Sequence, residues 1–255
     1  MITGERLVLQ DKERGFEFAR HIFAYEFAAG LAKGLSVLDL GCSEGYGGAL
    51  LAGTAASVTG LDRSAAAIAN AAAAHQAPNL RFVSADATAT GLPSSSFDLV
   101  CAFQIIEHFS DPAAFLAEIE RLLKPGGRAV ISTLNREISG SVFNPYHPVE
   151  YDRAGFERAL RAVFGRAEVL GVFADEGTMK EMRAFKARAA AMLKLDVFGL
   201  RRLAGLYPFR RLYDLAVILA RLSSRGSRVR AHPHTFNISA DGAEKAMDLI
   251  AVCVK

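Results

Sequence analysis

Between Ser36 and Leu134, five short apolar runs alternate with helical segments, and this rhythm constrains the fold more than any other feature of the chain. Ser36-Val-Leu-Asp-Leu40 reads as a buried strand, followed by a glycine-rich turn and a helix through Leu51. Ser57 to Leu61 is a second strand, and Ser64 to Ala74 an alanine-rich helix with Ser64 placed to cap it. Leu80 to Ala85 and Phe97 to Ala102 are strands three and four. Asp111-Pro112 opens a further helix, which runs to Leu123 and stops at Pro125-Gly126-Gly127 before a fifth strand, Arg128 to Leu134. Strands and helices in this order imply parallel strands with right-handed crossovers, hence a doubly wound α/β sheet.

The flanks complete that plan. Apolar residues at helical spacing from Phe16 to Leu31 predict a leading helix, so 1–34 is expected to cap a cofactor-binding core at 35–175. That core ends with a helix from Arg153 to Phe164 and a strand near Glu168 to Phe173, and Met247 to Val254 is the last strand, within 239–255. The expectation is a mostly parallel seven-stranded sheet with helices on both faces. Between the last two strands, 176–238 reads as a helical basic insertion, with Met182, Phe185, Ala189 and Met192 at helical spacing.

Charge and cysteine usage narrow the function classes. The formal net charge is only +3, yet Thr178 to His234 holds thirteen Lys/Arg against three acids, so the rest of the chain is net negative. Arginine pairs beside aromatics, as in Phe198 to Leu203 and Tyr207 to Tyr213, suit an anionic acceptor or anionic lipid headgroups. They equally suit a solvated helix face whose arginine stems cover apolar surface. Cys42, Cys101 and Cys253 are odd in number and far apart, which favours reduced thiols over disulfide or zinc chemistry. The N-terminus lacks an apolar signal region and no apolar run reaches spanning length, so a cytoplasmic protein is expected, with the basic stretch allowing contact with the inner face of a membrane.

Ligands of doubly wound sheets bind beyond the carboxyl ends of the strands, at the reversal of strand order. The first turn there, Asp39-Leu-Gly41-Cys-Ser-Glu-Gly45-Tyr-Gly47-Gly48, does not keep the Gly-x-Gly-x-x-Gly spacing of dinucleotide folds. Strand two ends in Asp62, 21 residues after Gly41, where a carboxylate can accept both hydroxyls of a ribose. Strand three ends in Ala85-Asp86-Ala87, where a second acid can accept from an adenine amino group. Each acid alone fits a surface carboxylate; three successive strand ends bearing acids point to one nucleoside.

Val37-Leu-Asp-Leu-Gly-Cys-Ser-Glu-Gly45 resembles the first motif of class I S-adenosylmethionine (SAM) dependent methyltransferases. Gly60-Leu-Asp62, Ala85-Asp86-Ala87, Phe97 to His108 with its terminal Glu-His, and Leu122-Leu-Lys-Pro-Gly-Gly127 are similar to the family's later motifs, in order and spacing. The subtype it looks most like includes ubiquinone-biosynthesis and natural-product methyltransferases. The resemblance implies SAM as cofactor, with Asp39, Gly41 and Gly45 at its methionine end, Asp62 on the ribose, Asp86 and the Ala87 backbone on the adenine, and the Phe103-Gln104 backbone on the methionine amine. Ser43 stands where the family often has glycine.

The implied reaction is methyl transfer, most simply to a hydroxyl of a glycan, lipid-linked intermediate or secondary metabolite. N- or C-methylation, and a SAM- or nucleoside-binding protein without turnover, are the alternatives. A hydroxyl acceptor calls for a base, and His108 and His147 are the candidates. His108 also suits a structural role beside Glu107, and His147 lies in a Pro- and Tyr-rich loop after strand five. In quinone-related relatives a Glu-His pair joins a further acid one turn earlier to hold a divalent metal; Gln104 stands there, so no essential metal is expected. His21, His75, His232 and His234 lack a partner pattern, and Tyr25 suits either the core or a cover over the cofactor. Nucleic-acid methyltransferases of this fold usually carry Asn/Asp-Pro-Pro-aromatic after strand four; Phe103-Gln-Ile-Ile replaces it, so nucleic acid is not an expected partner.

Overall fold

A computed structural model describes residues 15–139, 146–180, 183, 184, 187 and 235–255. The chain runs α1 (Gly15–Leu31), β1 (Ser36–Leu40), α2 (Tyr46–Ala52), β2 (Ser57–Asp62), α3 (Ala65–Ala74), β3 (Leu80–Ser84) and β4 (Phe97–Phe103). It continues through α4 (Ala113–Leu122), β5 (Leu123–Leu134), α5 (Arg136–Ser139), α6 (Arg153–Arg161), β6 (Arg166–Ala174), β7 (Phe236–Ser239) and β8 (Asp248–Val254). One sheet holds all the strands in the order β3-β2-β1-β4-β5-β8-β6-β7.

Pairing is parallel from β3 to β5 and antiparallel around β8 and β7, so the sheet is mostly parallel, as expected. The strand count is corrected: there are eight strands, not seven. Phe236–Ser239, placed by the sequence reading at the end of the insertion, pairs antiparallel with Gly171–Ala174 as an edge strand, and Phe236 is buried. Four residues are too short for alternation to separate a strand from the tail of a helix, and the partner strand decides. The turn at 176–180 is helical; nearly all of the rest of the basic stretch, with its arginine–aromatic pairs, lies outside the described residues.

A second difference concerns β5, which begins at Leu123 rather than Arg128. Leu123 is buried and pairs with Phe97, and the register then shifts before Leu99 pairs with Arg128. Gly126, at φ +74°, provides the left-handed residue of that irregularity. Pro125-Gly126-Gly127 therefore kinks a strand instead of separating a helix from one.

The helix starts follow their caps. Ser64 Oγ accepts from Ala67 N at 3.3 Å and Asp152 Oδ1 from Gly155 N at 2.7 Å, whereas α4 is capped by Pro112 without a side-chain bond and Asp111, one residue earlier, closes a turn by accepting from Ala113 N at 2.9 Å. Pleat alternation divides β1 between two cores. Leu38 and Leu40 join Phe115 and Phe156 of α4 and α6, while Val37 joins Ala28 and Leu51 of α1 and α2. Asp39, alternating with Leu38 and Leu40, therefore faces the α1/α2 side, where its chemistry is found.

Candidate cofactor site and active centre

The chain leaves β1, crosses outward to β2 and β3, then returns to β4 on the other side of β1. The crevice of a doubly wound sheet opens at that reversal. Register lines up its rim: Leu40 is level with Leu61, Asp62 with Ser84, and Phe103 with Ser132. Gly41, Asp62, Asp86 and Gln104 thus leave the sheet along one edge.

The loop after β1 is built for close approach. Gly41 has φ +87°, and a Cβ there would stand 2.7 Å from Ile105 Cδ1. Gly45, at φ +80°, turns the chain into α2, and a Cβ there would meet Phe82 and Ala71. Ser43 and Gln104 also have positive φ, at +49° and +53°. Two non-glycine residues held left-handed on facing sides of one crevice are local strain retained at a functional site. Ser43, where the family often has glycine, keeps the left-handed backbone that a glycine would supply.

Asp62 organises this loop. Its Oδ2 accepts from Ser43 N at 3.1 Å and its Oδ1 from Ser64 N at 2.8 Å. The Asp62 carbonyl accepts from Ala85 N at 3.2 Å, which ties the end of β3 to the rim. Asp86 is exposed, with Oδ1 taken by the Thr88 amide at 2.8 Å and hydroxyl at 2.6 Å; these bonds hold its carboxyl below the usual range. Ala87 is half-buried beside it.

Asp39 differs from the other two. It is 1% exposed, and its Oδ1 accepts from the Tyr25 hydroxyl at 3.0 Å while Oδ2 has no hydrogen-bond partner. Burial pushes its carboxyl up to about 7, against the pull of the Tyr25 bond and with the help of Asp62. Tyr25, ambiguous in the sequence, is buried in the core and bonded to Asp39. Ser43 Oγ is likewise buried without a partner. Orphaned acceptors next to left-handed glycines fit the amino-acid end of SAM, and Asp62 fits its ribose.

The two candidate histidines come together. Their rings stand 4.9 Å apart at 80°, and His108 Nδ1 lies 2.9 Å from the Tyr146 carbonyl, to which it donates. That tautomer puts the acceptor lone pair on His108 Nε2. Below them Glu107, 1% exposed, accepts from Thr133 Oγ1 at 3.1 Å through Oε2, while Oε1 has no partner. Burial raises the Glu107 carboxyl, and the charges of His147 and then His108 oppose that rise. Tyr151 lines the same cluster, its hydroxyl pushed up to about 12 by burial and by Glu107. Thr133 and Tyr151 were not foreseen; their only sequence signal is a polar residue at the end of β5 and a tyrosine in the loop that carries His147.

His21 and His75 take no part in this centre: His21 is half-buried against Tyr46, and desolvation and then the Arg20 charge lower its pKa to about 3. His232 and His234 lie outside the described residues. Among the described residues no group of three or more His, Cys, Asp or Glu is arranged to hold a metal ion, and the three cysteines are free and buried.

Fold and crevice together define a doubly wound α/β protein of the class that binds its ligand at the reversal of strand order, here between β1 and β4. The profile described as "Methyltransferase domain" matches residues 38–131. A protein of Mycolicibacterium smegmatis named "Probable S-adenosylmethionine-dependent methyltransferase" is 36% identical over 181 residues, covering 69% of this chain and 70% of that protein. The chain belongs to the SAM-dependent methyltransferases, and SAM is its cofactor.

A Mycobacterium tuberculosis protein of the same description is 29% identical over 100% of this chain and 89% of its own length. The "Ubiquinone biosynthesis O-methyltransferase" of Pseudomonas aeruginosa is 39% identical, but over 45% of this chain and 50% of that enzyme. Among solved structures, the cyclase SpnF superposes with a TM-score of 0.63 at 21% identity, covering 96% of this chain and 84% of that one. A SAM-dependent methyltransferase from Mesorhizobium loti gives 0.53 at 18% identity, over 91% and 98%. These two are likenesses of fold.

Proposed function

We propose that the chain methylates a hydroxyl of a small or medium-sized acceptor, such as a glycan, a lipid-linked intermediate or a secondary metabolite. The carrying observation is the buried Glu107 beneath the His108–His147 pair, one strand end from the cofactor crevice. The partial similarity to a ubiquinone O-methyltransferase supports the same chemistry.

Asp39, Gly41 and Gly45 line the methionine end, Asp62 accepts from the ribose hydroxyls, Asp86 with the Ala87 amide holds the adenine, and the backbone at Gln104 faces the methionine amine. When bound, SAM supplies a sulfonium-activated methyl group. The protein's share is alignment, which can lower such a barrier by ~7–11 kcal/mol, and removal of the hydroxyl proton. His147 accepts that proton as the acceptor oxygen gains the methyl, and the Glu107 carboxylate stabilises the resulting imidazolium. His108, fixed through Nδ1 by Tyr146, orients the acceptor hydroxyl. The basic stretch after Lys180 is the proposed seat for an anionic group of the acceptor.

Methyl-labelled SAM incubated with fractionated cell extract identifies the product; a label on nitrogen or carbon overturns the hydroxyl reading. With that acceptor, His147→Ala is expected to slow turnover by ~10²-fold or more while leaving SAM affinity unchanged. Unchanged turnover retires the base. Asp62→Ala is expected to weaken SAM binding in calorimetry, and wild-type affinity removes Asp62 from the ribose.

A further inference from the structure

We infer that Tyr25 of the leading helix is a positioning residue for cofactor capture: its hydroxyl donates to one oxygen of Asp39 and so holds the carboxylate to receive the cation of the incoming methionine end. The inference rests on the reading above that Asp39 serves that end.

Tyr25 meets the crevice from three sides. Its hydroxyl donates to Asp39 at the end of β1. Its ring stacks edge-on against Phe103 at the end of β4, with centroids 4.8 Å apart, and against Tyr46 of α2 at 5.8 Å. Gly47 lies directly beneath the ring, where any Cβ would collide with it. One side chain thus joins α1, β1, α2 and β4, so docking of the leading helix and the shape of the crevice are linked at this residue.

The charges around Asp39 explain why the hydroxyl matters. Tyr25 approaches from α1, Tyr46 and the Gly48 amide from α2, Cys42 from the loop, Asp62 from β2 and Cys101 from β4. None of these is a cation. A buried carboxylate held only by the Tyr25 hydroxyl and the Gly48 amide is costly, and a cation such as an ammonium group is the partner this site lacks. The Tyr25 hydrogen bond favours the ionised form, which is the one able to receive it; burial alone favours the neutral acid.

The test is calorimetric binding of SAM to wild type, Tyr25→Phe and Asp39→Asn between pH 6 and 9. Phenylalanine keeps the ring over Gly47 and removes only the hydroxyl. The ratio of variant to wild-type Kd cancels the titration of SAM itself. For Tyr25→Phe the ratio is expected to reach about tenfold at pH 6 to 7, as for a rise of about one unit in the Asp39 pKa. It is expected to fall towards parity by pH 9, where Asp39 is ionised in both proteins. A ratio near one throughout, with Asp39→Asn still weakened, overturns the role of Tyr25 and leaves Asp39 in place. A loss independent of pH also overturns it, because that is the signature of lost packing. If Asp39→Asn binds as tightly as wild type, the reading of Asp39 fails first. Should Tyr25→Phe not fold, the Kd ratio of Asp39→Asn to wild type serves: it must grow as pH rises through about 7, and a flat ratio overturns the inference.

Discussion

Asp39 shows how a single residue is set against the stability of its own fold. Its carboxyl is raised from 3.8 to about 7, so ionising it costs folding free energy that accumulates as pH rises through that interval. The cofactor-free Asp39→Asn protein is therefore expected to be more stable than wild type at pH 8, on the order of a few kcal/mol, with the gap narrowing towards pH 5. Urea unfolding midpoints at the two pH values check this, and equal midpoints at pH 8 contradict the buried-charge reading. The same residue is expected to lose SAM affinity on substitution. Stability and binding pull in opposite directions there, as is common at sites that receive a ligand charge.

At the scale of elements, the loop between β3 and β4 is held by α4. Glu118 Oε1 accepts from Thr90 N at 2.9 Å and Thr90 Oγ1 at 2.6 Å. Arg121 pairs with Glu118 at 2.7 Å and reaches Leu92 O and Ser94 Oγ, each at 2.8 Å. Led by the Arg121 bond, these contacts depress the Glu118 carboxyl from 4.5 to about 2. A depressed carboxyl stabilises the fold above its ordinary pKa and loses that contribution as pH falls towards about 2. Glu118→Ala is expected to cost ~1.5–3 kcal/mol near neutral pH, read as a shift in denaturation midpoint with unchanged slope. Within this loop only Asp86 and Ala87 are proposed to meet the cofactor, so SAM affinity is expected to change far less than stability. Asn135 does similar work after β5: fully buried, it donates through Nδ2 to Glu244 O at 2.9 Å and Ala246 O at 2.8 Å, fixing the approach to β8.

For the molecule as a whole, the leading helix is fastened at both ends of the chain order. Arg20 of α1 pairs with the buried Asp248 of β8 at 3.3 Å, across 228 positions of sequence, while Tyr25 holds Asp39. A ligand that binds only the folded crevice must stabilise the whole structure. At a concentration of about 100 times Kd, SAM contributes ~2.7 kcal/mol. For a chain of this size that corresponds to a rise in Tm of roughly 5–10 °C. Thermal unfolding with and without SAM reads it directly, and no shift at saturating SAM contradicts cofactor binding by the folded chain. Among the described residues no helix is long and apolar enough to cross a membrane.

Sequence periodicity was enough for the doubly wound sheet, the β1 glycine turn and the cap at Ser64, and the order and spacing of the motifs carried the resemblance to the family. These features are local: a strand's apolar run, a cap's three-residue reach and a motif's spacing are all carried by neighbouring residues. Tertiary structure alone decided the eighth strand, the early start of β5, and the partners of the buried carboxylates. Tyr25 reaches Asp39 across 14 positions and Thr133 reaches Glu107 across 26, distances over which no periodicity links them. Which polar atoms are left without a partner, and so which can receive a ligand, depends on how layers close over one another. That closure is a property of packing, and it separates a motif that names a cofactor from the residues that hold it.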